Sequence, residues 1–156
     1  MWGHALRGEK HERQGTMTYD ELIDTAVGVL RRRNVGGRYF GDVAAALMTD
    51  QGSMFTGICI DTPSWGLCAE RSAIAAMATA GEYRIAAIVA VWKEDVTVAP
   101  DGLLYVLPPC GHCRQFMRDI DEGNLEALII LGLDKVVKLK ELLPYHEWPE
   151  PITRQR

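Results

Sequence analysis

The chain has 156 residues, enough for one domain with a sizeable core and no need of disulfides. Its 47% hydrophobic and 24% charged residues are ordinary globular values and argue against wholesale disorder. Seventeen basic against twenty-one acidic residues give a net charge of -4, without the basic excess that neutralises nucleic-acid phosphates. The longest apolar run, Ile85 to Trp92, is far shorter than the roughly 20 residues needed to cross a bilayer, so neither nucleic acid nor membrane is an expected partner.

Residues 1–16 are mostly polar and have no period, and are expected to be a disordered extension or a remnant foreign to the native protein. Residues 17–156 are expected to form a single domain. Thr18 and Glu21 have the spacing of a capping box, and Leu22, Ile23, Ala26, Val27 and Leu30 follow at helical intervals. Arg31, Arg32 and Arg33 then stand where cations favour a helix C-terminus, and a solvated helix end is the expected role of the run. Val43 to Thr49 and Met54 to Ile60 predict a hairpin turning at Asp50-Gln51-Gly52. The alanine-rich stretch Ala69 to Ala80 predicts a helix stopped by Gly81.

Further strands are predicted at Ile85 to Trp92, Leu103 to Leu107, Leu128 to Leu131 and Val136 to Leu139, with a polar turn over 94–102. Gly111 to Ile120 predicts another helix, and a proline-containing tail closes the chain. Strands alternating with helices around a mainly apolar sheet define an α/β sandwich with helices on both faces.

The four cysteines are Cys59, Cys68, Cys110 and Cys113. The N-terminus lacks the apolar core of a secretory signal, so the thiols are expected to stay reduced in a cytoplasmic protein, where clustered cysteines more often bind metal. Cys68-Ala69-Glu70 and Pro109-Cys110-Gly111-His112-Cys113 each stand at a predicted helix start directly after an extended segment. The free amide hydrogens and partial positive charge of a helix N-terminus favour the thiolate that metals require. Cys110 and Cys113, three apart, can turn both sulfurs to one point, while Cys68 as a third ligand leaves a tetrahedral zinc one open position, the mark of catalysis. Glu70 can reach the same point only if Cys68 precedes the first helical residue. A carboxylate there can take a proton from water and deliver it to a substrate nitrogen.

At these residues the sequence resembles the cytidine deaminase family. Cys68-Ala69-Glu70-Arg71 and Pro109-Cys110-Gly111-His112-Cys113-Arg114-Gln115 match its two zinc motifs, and the likeness runs from about Thr18 to Trp148. It implies a cytidine-deaminase-like three-layer α/β/α sandwich with a mixed five-stranded sheet, Zn2+ held by Cys68, Cys110 and Cys113, and Glu70 as the proton shuttle. Arg71 matches an arginine beside the thiolates, where it offsets their excess negative charge. The Ala69 amide is implied to bind the pyrimidine 2-oxo group, and the Pro108 carbonyl the departing amino group. A small aminated pyrimidine-like substrate and a homotetramer, with a dimer as alternative, are implied as partners.

The family's ribose-binding Asn-x-Glu is replaced here by Cys59-Ile60-Asp61, and its base-stacking phenylalanine falls on Gly41, beside Phe40. Cysteine is a poor partner for a hydroxyl, so the sugar or its substitute is expected to be held differently. The short connection from Gly57 to Cys68, Phe55-Thr56-Gly57, and Glu141 to Trp148 resemble the blasticidin S deaminase branch. Trp65 is a candidate for the pocket mouth, and Tyr145 and Trp148 for a segment that closes the site. His112 is expected to point away from the metal. The alternatives to a deaminase of a cytosine-like nucleoside or related heterocycle are a redox dithiol at Cys110 and Cys113 and a zinc-containing ligand-binding module without turnover.

Overall fold

A computed structural model describes residues 18–94 and 102–152. The predicted extension over residues 1–16 and most of the predicted turn over 94–102 lie outside the described residues. The first helix, α1 (Tyr19–Val29), opens with the expected box: Thr18 Oγ1 accepts from the Glu21 amide, and the Glu21 carboxylate accepts from the Thr18 amide at 2.6 Å. It stops short of the arginines, so its last turn holds no basic residue, and Arg33 instead begins a strand.

The strands are β1 (Arg33–Val35), β2 (Arg38–Thr49), β3 (Met54–Ile60), β4 (Ile85–Lys93), β5 (Leu104–Leu107), β6 (Leu128–Gly132) and β7 (Lys135–Lys138). Helices α2 (Ala69–Thr79), α3 (Gly111–Ile120) and α4 (Leu139–Leu142) complete the labelled elements, with a 3-10 turn over Glu122–Glu126. Among the described residues the sheet therefore has seven strands, not the expected five. They occupy five lanes, because two short strands extend lanes already present. Strand β1 pairs with residues 38–40 of β2, beyond the end of β4, and β5 pairs with the last residues of β4, beyond the end of β6. All three residues of β1 are exposed, so hydrophobic alternation could not announce it. Its turn could: Gly36 and Gly37 both have positive φ, which a two-residue hairpin of the I′ type requires.

Pairing is antiparallel except between β4 and β6, so the sheet is mixed. Alternation along β2 divides the core. Ala44, Ala46 and Met48 pack with Leu22, Ile23 and Ala26 of α1, while Ala45 and Leu47 pack with Ala73, Ile74 and Met77 of α2 and Met117 of α3. Helices thus cover both faces, as expected for three layers.

Two details fix the helices that carry the site. A Cβ on Gly57 of β3 would lie 2.3 Å from the Ala73 nitrogen and 2.5 Å from the Ala69 oxygen, so α2 rests directly on the strand's backbone. Asn124 is wholly buried, accepts from the Ile85 amide at 2.8 Å, and donates to the Tyr83 and Met117 carbonyls at 3.0 and 2.9 Å. It ties the end of α3 to the start of β4.

Candidate active site

Helices α2 and α3 both start at a cysteine. Cys68 and Cys110 are N-caps in extended conformation, and Cys113 is the third residue of α3. Cys68 thus precedes the first helical residue, the condition under which Glu70 can reach the same point. The Cys110 sulfur accepts from the Cys113 amide at 3.4 Å, in the place of a hydroxyl cap. The Cys68 and Cys110 sulfurs lie 3.8 Å apart, those of Cys110 and Cys113 3.5 Å, and all three fall within 4.8 Å of one another. Zinc–sulfur bonds of about 2.3 Å in tetrahedral array place sulfurs about 3.8 Å apart, so the trio fits zinc by type, number and spacing.

Burial, reinforced by the Glu70 charge and the neighbouring thiols, pushes the Cys113 thiol far up. Burial also opposes the Cys110 thiolate, but hydrogen bonds from the Cys113 amide and thiol outweigh it and hold that thiol below its ordinary value. Three thiolates at this spacing require a cation among them. All four cysteines are free of disulfides.

Glu70 is 6% exposed, and burial raises its carboxyl above the ordinary range against the pull of its own amide, Cys113 and Arg71. A carboxyl tuned upward suits proton transfer near neutral pH. Arg71 donates to the Cys68 sulfur at 3.7 Å and the Gly66 carbonyl at 3.3 Å, while its buried Nε has no partner among the described residues. The guanidinium therefore sits beside the Cys68 sulfur.

An open cleft of about 380 Å³ adjoins the cluster, lined by Tyr39, Asp42, Cys59, Asp61, Trp65, Cys68 and Arg71 among others. Cys59, Asp61 and Trp65 are thus brought to the metal-binding end. Phe40, half-buried and paired with Arg33 and Ile60, does not line the cleft; Tyr39 does. Ala69 is buried at the first position of α2, and Pro108 directly follows β5. His112 lies edge-on between Trp65 and Phe116, each ring 6.4 Å away, and is not in the sulfur cluster. Tyr145 and Trp148 are almost fully exposed.

Two residues escaped the sequence reading. Arg114 donates to the Pro109 carbonyl at 2.8 Å and the Leu142 carbonyl at 3.1 Å, clamping the second cysteine loop to the end of α4. Asp42 accepts the Cys59 thiol at 2.8 Å. Arg114 stood within the quoted motif, but no local signal shows a contact to a carbonyl so distant in sequence.

Cysteine-capped starts of two helices, converging beside a buried carboxylate in an α/β/α domain, define a zinc hydrolase centre. Residues 18–128 match the cytidine and deoxycytidylate deaminase zinc-binding region. The cytidine deaminase of Mycobacterium tuberculosis is 36% identical over 116 residues, 73% of this chain and 78% of that protein. That of Halalkalibacterium halodurans is 33% identical over 106 residues, 65% of this chain and 74% of that protein. The crystal structure of cytidine deaminase from Burkholderia pseudomallei superposes with a TM-score of 0.64 at 28% identity, covering 83% of this chain and 98% of that one. The chain belongs to the cytidine deaminase family, whose members are zinc-dependent hydrolases acting on C–N bonds.

Proposed function

We propose that Cys68, Cys110 and Cys113 hold the zinc and that Glu70 carries the proton traffic of a hydrolytic deamination of a cytosine-like nucleoside or related aminated heterocycle. The observation that carries this reading is the convergence of three sulfurs, 3.5 to 3.8 Å between successive pairs, beside a carboxylate buried to 6% exposure. When bound, zinc supplies a Lewis acid that brings the acidity of water into the physiological range. Glu70 takes a proton from the attacking water and passes it to the ring nitrogen, and the second proton leaves with the amino group. Water and substrate are consumed, and the oxo product and ammonia are released. The Ala69 amide, at a helix start where it has no helical acceptor, binds the 2-oxo group; the Pro108 carbonyl accepts from the departing nitrogen. Arg71 balances the thiolates, whose summed charge otherwise exceeds that of the ion.

Cys59, Asp61 and Trp65 form the wall that meets the ring substituent. The acidic side chains of this wall and the short connection to Cys68 favour a second reading, a non-ribose substituent such as that of blasticidin S. Exposure of 79% at Trp65, 100% at Tyr145 and 89% at Trp148 supports a homotetramer in which the C-terminal segment closes a site near a subunit boundary. Four unpaired cysteines suit a reducing, cytoplasmic setting, and among the described residues no helix is long and apolar enough to cross a membrane.

The test is ammonia release from cytidine, deoxycytidine, free cytosine and blasticidin S by zinc-loaded protein, alongside Glu70→Gln. The variant is expected to keep one zinc per chain and lose about 10²-fold or more of turnover. Zinc-loaded protein that releases ammonia from none of these, or a Glu70→Gln variant that turns over normally, overturns the reading.

A further inference from the structure

We infer that Asp42, positioned by Cys59, is the specificity-determining residue that receives the substituent on the substrate ring. This rests on the deaminase reading and concerns the one part of the cleft where the chain departs from its family's pattern.

The geometry begins at Gly41. Regular alternation would send Asp42 to the α1 face with Ala44. The pairing of β2 with β3 shifts register between Phe40 and Ala44, and Gly41 has a φ of +73°. A Cβ there would lie 2.4 Å from the Arg31 carbonyl oxygen, so no other residue fits. Four residues of β2 there stand against two of β3, so regular alternation is broken over this stretch. Val43 packs into the core under α2, and Asp42 bonds to Cys59, which packs against that same core. The bulge that removes an aromatic ring from position 41 thereby delivers a carboxylate into the cleft.

Cys59 fixes that carboxylate. Its sulfur accepts from the Val43 amide at 3.4 Å, and its S–H donates to Asp42 Oδ1 at 2.8 Å. The thiol's one proton is committed, so Cys59 itself has nothing to donate to a ligand. Among the described residues no donor is assigned to Asp42 Oδ2, which is left to accept from a bound molecule. Asp61 lies on the same wall. Asp42 beside the thiol, with Asp61 lining the same cleft, favours a substituent bearing O–H or N–H donors. Hydroxyls of a sugar and an ammonium or guanidinium group share this chemistry.

The experiment compares KM and kcat of zinc-loaded parent and Asp42→Asn on cytidine and on blasticidin S, whose substituent carries cationic nitrogens. Loss of a charge-assisted hydrogen bond predicts a KM raised about ten- to hundredfold with kcat changed less than about threefold. A rise for cytidine identifies hydroxyl donors; a rise confined to blasticidin S identifies cationic ones. A KM within about twofold of the parent for both overturns the inference while leaving the deaminase reading intact. Parent protein inactive on both, and on deoxycytidine and free cytosine as well, overturns that reading and, with it, this one. Cys59→Ala and Cys59→Ser supply an independent arm: the alanine variant raises KM, and serine, which still donates to Asp42, brings it back toward the parent. Equal KM values for these two variants count against the positioning role.

Discussion

Gly57→Ala tests whether the seat of α2 controls the chemistry. The added methyl meets backbone, the Ala73 nitrogen at 2.3 Å and the Ala69 oxygen at 2.5 Å, where ordinary contact begins at 3.4 Å. No rotamer change relieves a clash with backbone, so α2 must retreat by about 1 Å. Overpacking of this kind costs about 1–3 kcal/mol of stability. The larger consequence is positional, because the first turn of α2 carries Cys68, Ala69, Glu70 and Arg71. A displacement of about 1 Å at a reacting group costs about 10²-fold in rate. The expected result is a loss of about 10²-fold in kcat/KM for ammonia release together with a modest fall in urea unfolding free energy. The Cys110 and Cys113 sulfurs stand on another helix, so zinc should be weakened rather than lost. A variant with parental kcat/KM and stability would show that α2 does not depend on this contact.

Arg71→Gln removes the cation beside Cys68 and is expected to weaken zinc binding about 10- to 100-fold in a chelator competition; unchanged affinity and rate would remove Arg71 from the charge balance. Asn124→Ala leaves two carbonyls and one amide in the core without their side-chain partner, and should cost about 3 kcal/mol or more by denaturant unfolding. Glu126, bonded to Lys138 at 2.7 Å and Lys140 at 2.6 Å, is held at a pKa of about 2 against an ordinary 4.5. Its folded value is the lower one, so its contribution is present above pH 4.5 and fades as pH falls through about 2. Glu126→Gln should flatten that part of the stability-against-pH curve, and a curve parallel to the parent's would exclude the contribution.

The parts of the fold and site that were legible in the sequence are those written in local spacing. The capping box at Thr18 and Glu21, the start of α2 after Cys68 and that of α3 after Cys110 all depend on residues a turn apart. The convergence of Cys68 with a pair 42 positions away was legible only because the motifs resembled a known family. What stayed hidden depends on pairings between distant segments. Strand β1 buries nothing, and the side to which Asp42 points is decided by a register shift against β3. Asn124 reads as a loop residue until Tyr83, Ile85 and Met117 surround it. Arg31 to Arg33 misled because charge suggested a helix end, whereas α1 stops at Val29 and Arg33 already begins a strand.

The bulge at Gly41 divides the labour of the cleft between two kinds of support. On the proposed reading, bond breaking falls to the first turns of α2 and α3, each begun by a cysteine, with α2 seated directly on β3. On the same reading, choice of molecule falls to the ends of β2 and β3, where Gly41 and Asp42 set what the wall offers. A lineage built this way can acquire a new diet by rewriting a strand tip, without disturbing the machinery that cleaves the bond.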